Sequence, residues 1–578
     1  MWGIHQAVAQ ESVPDSLMES HSLEEVEVIG SAPTQALDAL DHQMIHKETL
    51  LRIQGNTLMQ SLEILPGISS IQTGTGISKP VIRGMSVNRV VVNEYGIKQE
   101  NQQWGLDHGL EIDQYNIEQV EIIKGPVSLL YGSDGIGGVI QIHPSKPPQT
   151  DTSCGDIVLN YKSNNNLFGG SGKWVLSRDK WYLMARMSYQ DYGLYRIPTD
   201  SFTYNGYRLP IYNGRLKNTG GNEWSNSIYL GYRTEKWSSN LYLSNVRQKA
   251  GFFPGAFGIP RLYQLQPAED PRALELPFQY INHFKAISNT QVFTSWGILK
   301  LDIGYQWNTR KEISAPHAHG NGVVPQGTTA LLLNLHTFQS NLRWEYQSPQ
   351  WRVQSGISLQ YQNNQIGGFE FLIPAYRQLQ SGMFVYSQYN TPGSGSFNAG
   401  IRYDMAHQSA DEGTVIIYDS TGEMIRDQNR SPEWHKSYHN LSGALGWKKD
   451  IDHNWILSAN LGTAFRVPMI NELLANGVHH GSFRHEMGDT SLLPEKGWMV
   501  DVGIDYHNHT WHASLTPFIN YFSNYIYLHP SGRFSTLPEA GQIYQYKNTS
   551  ALYWGAEFLI DYPVWRQFFP DPFSGICL

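Results

Sequence analysis

Long stretches of the chain alternate between apolar and polar residues from about residue 155 onward. Residues 181–190 show the pattern clearly, since one face carries Trp181, Leu183, Ala185, Met187 and Tyr189 and the other carries Tyr182, Arg186, Ser188 and Gln190. A period of two residues is typical of a β-strand with two unlike faces. One face suits lipid and the other suits a wet lumen, so the pattern predicts the strands of a membrane barrel.

Short polar turns recur between these stretches, and each one is followed at once by a tryptophan. The five residues concerned are Trp181, Trp237, Trp351, Trp455 and Trp511. Tryptophans that recur where strands leave the short turns are typical of a barrel wall at the depth of the lipid headgroups. A water-soluble β-protein, which is the simpler alternative, has no physical reason to repeat this feature.

The remaining connections are long and polar, at about 191–225, 248–280, 311–330, 361–378, 406–435 and 466–495. Short turns on one side and long loops on the other are the asymmetry of outer-membrane barrels, whose short turns face the periplasm. Counting in this way predicts roughly 16 antiparallel strands up to residue 562. The alternation then stops, and residues 566–578 form a tail without strand character.

The part of the chain that precedes the barrel reads as a small α/β domain. Thr57–Leu62 predicts a short amphipathic helix, and the apolar runs 89–92 and 120–123 predict strands. The glycine-rich run 132–138 lacks the lysine and hydroxyl ending of a phosphate loop, so tight backbone packing explains it better. We therefore predict a mainly β protein, with a plug domain at 49–150 and a barrel at 151–565.

The first residues look like the end of a signal peptide followed by a flexible leader. Ala7-Val8-Ala9 has the form of a signal-peptidase site, so we interpret residues 1–22 as the remainder of a signal peptide and a leader, with an ordinary flexible terminus as the alternative. Residues 23–48 form a linker that begins with an alternating run at 23–30. An extended run of this kind can add to the edge of another protein's sheet.

Composition removes several classes of function. The net charge is −9, which argues against nucleic acid as a partner. The two cysteines, Cys154 and Cys577, make neither a disulfide framework nor a cysteine-based zinc site. We found no apolar run of about 18 residues and no nucleophile motif in a supporting context, so we expect neither a spanning helix nor an enzyme.

Several motifs together resemble the family of TonB-dependent receptors. Leu65-Pro66-Gly67 with the run 81–85, and the run 120–140, are similar to that family's plug motifs. Residues 465–468, 471–473 and 493–496 are similar to its barrel segments, and residues 23–30 resemble its TonB box. The plug residues that carry the resemblance are Arg83, Gly84, Gly125, Pro126, Tyr131, Gly132, Gly137 and Gly138.

The resemblance implies an outer-membrane receptor of a Gram-negative bacterium, a monomer in lipid, that is energised by the inner-membrane TonB complex. The coupling strand would be Glu24, Glu25, Val26, Glu27, Val28, Ile29 and Gly30. It also implies a barrel of about 22 strands around the plug, so we expect that this chain is truncated near residue 565, about six strands short.

Histidines and carboxylates in three regions are candidates for a divalent-metal site. They are Asp107 and His108 in the plug, His317 and His319 in one loop, and His479, His480, His485 and Glu486 in another. Imidazole and carboxylate suit zinc and other borderline cations. The simpler alternative is that polar loops contain histidines by chance, since the chain has 21.

The pair Asp107-His108 and the stretch 476–489 also resemble the zinc-uptake subgroup of that family, in which the plug pair contributes to the metal site. We therefore expect a transported metal, zinc first, and no prosthetic group. A ferric siderophore, haem or cobalamin is the alternative ligand, because Phe252, Phe253, Phe257 and Tyr263 suit larger molecules. A passive porin or adhesin is the alternative from another class.

Overall fold

The computed structural model describes residues 42–561 with internal gaps. The residues left out of the description inside that range are 103, 106–107, 127, 205, 254–264, 267–268, 319–323, 392, 394, 419–420, 422, 480–483, 509–510 and 538–539. The predicted coupling strand 24–30 and the predicted linker up to residue 41 therefore lie outside the described residues, whereas residues 42–48 of that linker belong to β1 and α1.

The N-terminal domain is a small α/β unit. Its elements are β1 (His42–His46), α1 (Lys47–Arg52), α2 (Leu58–Leu62), β2 (Ile68–Gln72), β3 (Ser78–Ile82), β4 (Met85–Ser86), β5 (Val90–Glu94), β6 (Ile97–Lys98), β7 (Gln119–Ile123), α3 (Ser128–Tyr131) and β8 (Gly138–His143), with 3₁₀ turns at Val87–Arg89 and Gln114–Asn116. One sheet has the order β1-β7-β8-β5-β6, and β2, β3 and β4 form a second sheet. Helix α2 begins where predicted, because the Thr57 side chain accepts a hydrogen bond from the Gln60 N–H.

Most of the remaining elements build the barrel. They are β9 (Ser153–Lys162), β10 (Leu167–Arg178), β11 (Trp181–Tyr192), β12 (Ser201–Tyr204), β13 (Tyr207–Pro210), β14 (Gly221–Arg233), β15 (Trp237–Gly251), β16 (Phe278–Thr294), β17 (Gly297–Ile313), β18 (Thr329–Gln347), β19 (Trp351–Gly367), β20 (Tyr376–Thr391), β21 (Gly395–Ala410), β22 (Gly413–Tyr418), β23 (Met424–Ser431), β24 (Trp434–Asp450), β25 (Trp455–Arg466), α4 (Ile470–Leu474), β26 (Asn476–His479), β27 (Arg484–Met487), β28 (Glu495–His507), β29 (His512–Phe534) and β30 (Gln542–Asp561). A 3₁₀ turn spans Tyr212–Gly214, and the pairs β12–β13 and β22–β23 are hairpins in the long loops.

The barrel sheet contains 18 described strands, and two of them, β26 and β27, have only four residues each. The other sixteen form the wall, which is the number that the alternation predicted. Neighbouring wall strands are antiparallel throughout, from the β9–β10 pair to the β29–β30 pair. The strand order closes the barrel between β30 and β9. Residue registers are described for β30 with β29 and with β27, and for β9 with β10.

The two faces of the wall strands differ as predicted. On β11, Trp181, Met187 and Tyr189 are exposed on the outer face, whereas Arg186 and Ser188 are buried on the inner face. The outer face is apolar along the other wall strands too, with exposed residues such as Leu359 on β19. The wall is therefore apolar towards the surroundings and polar towards its interior.

Tryptophans gather at the end with the short turns. The five predicted residues are all exposed there, and Trp296 joins them from the turn between β16 and β17. Tyrosines of neighbouring strands pack against them, with ring centroids 4.6 Å apart for Trp181 and Tyr232 and for Trp351 and Tyr389. Among the described residues, no helix is long and apolar enough to cross a membrane.

The plug lies inside the barrel and is held by apolar packing and buried ion pairs. The Arg83 guanidinium lies 2.5 Å from the Asp501 carboxylate and 3.0 Å from that of Glu557. Lys124 reaches the same Glu557 at 3.1 Å. Because Arg83 and Gly84 form a turn with φ of 50° and 77°, the glycine there lets the arginine point outward to the wall.

The other plug motif residues lie at close approaches inside the plug or between plug and wall. A Cβ on Gly138, whose φ is 144°, would lie 2.8 Å from the Ile123 carbonyl oxygen, so only glycine fits that position without a shift. A Cβ on Gly137 would lie 2.9 Å from the Arg89 carbonyl oxygen. Gly125 adopts a positive φ of 88°, and Pro126 packs against Gly462 of the wall. Tyr131 and Gly132 face strands β18 to β21.

Candidate metal centre

The plug contributes one imidazole from the loop that follows β6. The base of the loop is closed by the Gln99 side-chain amide, which donates to the Glu111 carbonyl at 2.9 Å, and by that of Asn101, which donates to the Gly109 carbonyl at 3.2 Å. His108 lies within this closed loop, and its side chain is fully buried. The plug therefore presents His108 from a held backbone rather than from a free loop.

The barrel wall contributes a carboxylate from β17. Asn308, Arg310 and Glu312 occupy alternate positions of this strand, and all three are buried on its inner face. Glu312 is next to the last residue of the strand, on the side of the long loop 314–328. The strand period thus brings this carboxylate to the depth of the plug loop.

The inward-folded loop 467–494 contributes the second imidazole. Strands β26 and β27 form a hairpin in which His479 pairs with Arg484, and β27 runs parallel to β30. Helix α4 precedes the hairpin, and its apolar residues Ile470, Leu473 and Leu474 are buried. This packing carries His479 inside the barrel, where it is fully buried.

Three donor atoms from these three elements converge on one point. The Nε2 atom of His108 lies 3.2 Å from Oε1 of Glu312 and 3.2 Å from Nε2 of His479, and the His479 Nε2 atom lies 3.3 Å from the same Glu312 oxygen. Zinc–ligand bonds of about 2.0–2.2 Å in a tetrahedron place neighbouring donors about 3.3–3.6 Å apart. The triangle therefore has the size of one face of a zinc coordination tetrahedron.

Hydrogen bonds behind the two rings orient their nitrogens. The Nδ1 atom of His108 lies 2.5 Å from the Gln102 carbonyl oxygen, which only accepts, so this nitrogen carries the proton. The Nδ1 atom of His479 lies 3.3 Å from Oε1 of Glu486. Both Nε2 lone pairs then face each other and the Glu312 carboxylate, an arrangement that favours a cation between them.

A largely apolar shell surrounds the donors. The Trp104 ring lies over both imidazoles, with centroids 4.8 Å from that of His108 and 5.5 Å from that of His479. Trp104 belongs to a buried cluster that includes Leu331, Leu333 and Ile373. The donors are buried, so the attraction between a cation and the Glu312 carboxylate is stronger there than in bulk water.

The other predicted ligands are distributed differently. Asp107, His319 and His480 lie outside the described residues, so their roles stay predictions. His317 lies 2.9 Å from the Glu370 carboxylate. His485 points to Ser535 and Asn476, at 2.9 and 3.0 Å, and burial together with the nearby Arg430 lowers the pKa of His485 to about 4.

One member of the centre was missed in the sequence. Glu312 lies 204 residues from His108 and 167 from His479 along the chain. It is a single carboxylate at a strand end, which resembles many other polar residues of the inner face. Its position in the sequence could have indicated this role. Glu312 is one of the alternate residues of β17 that point inward, and it borders the loop that contains His317.

Comparison with known proteins agrees with this architecture. Residues 40–139 match the family model described as TonB-dependent Receptor Plug Domain, and residues 155–575 match that of the TonB-dependent receptor-like β-barrel. Vitamin B12 transporters BtuB from Photobacterium profundum and Vibrio vulnificus are 29% identical over 135 residues and 38% identical over 117 residues, respectively. The matched stretches cover 22% and 20% of this chain and 22% and 19% of those transporters.

Solved structures with a similar fold include receptors for different ligands. A double mutant of the Serratia marcescens hemophore receptor HasR, in complex with its hemophore HasA and heme, superposes with a TM-score of 0.71 and 16% identity, over 91% of this chain and 80% of that one. The copper transporter OprC gives a TM-score of 0.69 and 14% identity, over 93% and 78%. Since the two family models together cover the plug and the barrel, this chain belongs to the family of TonB-dependent receptors.

Proposed function

We propose that this chain is an outer-membrane importer of a divalent metal cation, with zinc as its preferred cargo. The observation that carries the proposal is the donor triangle formed by His108, Glu312 and His479. Two imidazoles and one carboxylate leave a fourth position of a tetrahedron for water or for another ligand. An open position suits a cargo that must later leave.

The donor chemistry favours zinc over other metals. Nitrogen and oxygen donors suit zinc, nickel and copper(II), whereas copper(I) prefers thiolate and thioether ligands. The described donor cluster contains two imidazoles and one carboxylate, and it has no sulfur. The triangle edges of 3.2–3.3 Å support a tetrahedral ion rather than a larger, oxygen-bound ion such as calcium.

The proposed cycle involves no covalent chemistry. The cation binds between the plug loop, the β17 wall and the β26–β27 hairpin, after capture by loop histidines such as His317. The coupling strand 24–30 then pairs with TonB in the periplasm, and the force from TonB displaces the plug. Displacement separates His108 from the two wall-side donors, which weakens the hold on the cation.

The proposal is tested by zinc binding to the membrane-inserted receptor. We expect that His108→Ala combined with His479→Ala abolishes stoichiometric zinc binding, measured by calorimetry and by metal content after gel filtration. His453→Ala is the matched control, since His453 is exposed in the short turn between β24 and β25, at the end of the barrel opposite to the β17 end that carries Glu312. Full zinc binding by the double variant would refute the proposed site.

An organic ligand is the second candidate, because similar receptors bind cobalamin or heme according to their names. Among the loop aromatics that suggested it, Phe252 is buried against Ile77 and Ala250 and so is unavailable to a ligand in this state. Phe257 and Tyr263 lie outside the described residues. Saturable binding of cobalamin, heme or a ferric siderophore that survives the double histidine substitution would favour this candidate over zinc.

A further inference from the structure

Two connected cavities lie between the plug and the wall, the first beside β18 to β21 and the second beside β15 to β19. The first has a volume of about 100 Å³ and the second of about 390 Å³. Both are lined by Gly96, Tyr131, Arg343 and Gln354, so they meet at those residues. The second cavity extends to the short-turn end of the barrel, where it is lined by residues 293–298. It has room for several waters.

A row of polar side chains on β19 links the metal centre to these cavities. The inward positions of this strand carry Gln354, Ser358, Gln360, Gln362 and Asn364. At the outer end, Asn364 accepts a hydrogen bond of 2.7 Å from Gln102, the residue whose carbonyl orients His108. At the other end Gln354 lines both cavities, about 33 Å further along the strand.

The wall made by β11 to β16 contacts the plug through both polar and apolar side chains. Ser188 donates a hydrogen bond of 2.8 Å to the Asp113 carboxylate, and Gln190 accepts one of 3.2 Å from Gln114. The apolar core of the plug also includes Tyr182, Met184, Tyr229, Tyr242 and Ile287 of this wall. The cavity described on that side has a volume of only about 10 Å³. Opening this contact would expose apolar surface to water, which costs free energy in proportion to its area.

The charges beside the two cavities are compensated. Lys98 lies 2.7 Å from the Asp134 carboxylate, and Arg343 lies 2.6 Å from that of Asp302. Arg402 is similarly paired with Asp404 at 2.8 Å. Lys300 lies 2.7 Å from the Glu345 carboxylate. These four cationic side chains each have a carboxylate partner, so they add little net positive charge that would repel a cation.

One plug residue closes the passage between the metal centre and the first cavity. Oε1 of Glu100 accepts a hydrogen bond of 2.8 Å from the Gln360 side chain, and it lies 2.7 Å from the Lys98 ammonium group. Glu100 precedes Gln102 by two residues in the same plug segment. A pull on the plug that moves His108 therefore also moves Glu100 away from β19.

We infer that the cation, once released from the metal centre, travels along the polar face of β19 and through these two cavities to the short-turn end. The inference rests on the proposed function and adds its route and its gate, Glu100. Amide and hydroxyl oxygens are weak ligands that can replace hydration briefly, so the cation is passed on rather than held. The plug remains packed against β11 and β14 meanwhile.

Two single cysteines, one in the first cavity and one at the plug contact of β15, test the route. Ser358→Cys lies in the first cavity, and Ser244→Cys lies on the inner face of β15 beside the small cavity. Both are made in a chain that also carries Cys154→Ser and Cys577→Ser. Energised cells take up radioactive zinc before and after treatment with a cationic methanethiosulfonate reagent, while labelling and zinc binding of the purified receptors are measured in parallel.

We expect labelling at residue 358 with loss of zinc uptake and intact zinc binding, and retained uptake for the residue 244 variant. Unimpaired uptake by a fully labelled Ser358→Cys receptor would overturn the route, as would failure of residue 358 to label. Loss of uptake only on labelling residue 244 would place the route at the plug contact of β15. If untreated receptors bind no zinc, the proposed function itself fails, which the binding measurement reports separately.

Discussion

At the scale of single residues, the centre depends as much on the groups behind the ligands as on the ligands. Glu486 orients the His479 ring, and it is itself held by Tyr546 at 3.4 Å and by Arg484 at 3.3 Å. Tyr546 in turn accepts a hydrogen bond of 3.0 Å from Asn471 of helix α4. A carboxylate behind a ligating imidazole raises its basicity and fixes its tautomer.

We predict that Glu486→Gln weakens zinc binding by about 10–100-fold while the receptor still folds, since partners of this kind typically contribute that much to metal affinity. The measurement is the zinc dissociation constant by competition with a chelator. Glu235→Gln, which removes an exposed carboxylate in a short turn, is the control and should leave the affinity unchanged. Equal affinities of the Glu486→Gln and Glu235→Gln receptors would contradict the orienting role.

The ligand in β17 allows a second prediction. Glu312→Gln keeps the size of the side chain and removes its charge, so we expect a larger loss of zinc affinity than for Glu486→Gln. His336→Ala, which alters a side chain of the neighbouring strand β18 that contacts Trp307, is a control for disturbance of this part of the wall. Zinc affinity retained by Glu312→Gln would remove the carboxylate from the donor set.

The sequence alone predicted two of the three donor residues. His108 and His479 stood out because each lies in a run with a neighbouring metal-binding side chain. Glu312 has no such neighbour, and its role arises only when β17 is set beside the plug. A contact between a barrel strand and a separate plug loop leaves no local pattern in either segment.

At the scale of elements, helix α4 and the β26–β27 hairpin act together as the support of His479. Arg466 at the end of β25 is fully buried and donates to both oxygens of Glu472 in α4, at 2.8 and 2.9 Å. It also donates to Glu495 at the start of β28, at 2.9 Å, and the plug residue Arg89 reaches that same carboxylate at 3.1 Å. One arginine thus joins the loop, the wall and, through Glu495, the plug.

We predict that Arg466→Gln lowers the free energy of unfolding by about 3–5 kcal/mol, because it leaves buried carboxylates without their main cation. Zinc affinity should fall as well, although Arg466 does not touch the donors. Urea unfolding in lipid vesicles and zinc titration measure the two effects. Arg377→Gln, at an exposed arginine of β20, should change neither quantity. An Arg466→Gln receptor of unchanged stability would show that this cluster is not a structural support.

The elements differ in how far their sequence predicted them. The wall strands follow from the alternation of their residues, since one face is apolar and the other, which faces the interior, is polar. The loop 466–495 was predicted only as a long polar connection, yet it folds inward with a helix and a hairpin. Its apolar residues, such as Ile470, Leu473 and Val478, are buried, but they form runs too short to predict what they pack against.

At the scale of the whole molecule, the proposed function requires coupling between residues 24–30 and the candidate metal centre. We predict that Val26→Pro abolishes zinc uptake in cells and leaves zinc binding intact, because proline removes a backbone donor that a paired strand needs. Uptake of radioactive zinc and equilibrium binding are measured on the same receptor.

Ala36→Pro, outside the predicted coupling strand, is the matched control and should retain uptake. Normal uptake by the Val26→Pro receptor would show that residues 24–30 are not the coupling strand. Loss of both uptake and binding would instead indicate a folding defect of that variant.

The division of the donors between plug and wall also sets a limit on affinity. A cation bound to His108, Glu312 and His479 bridges two bodies, so by mass action it stabilises the seated plug by about 2.7 kcal/mol at a concentration of 100 times its dissociation constant. The work needed to unseat the plug rises by the same amount. Tighter binding would therefore slow its own delivery, and the most productive receptor is one of intermediate affinity.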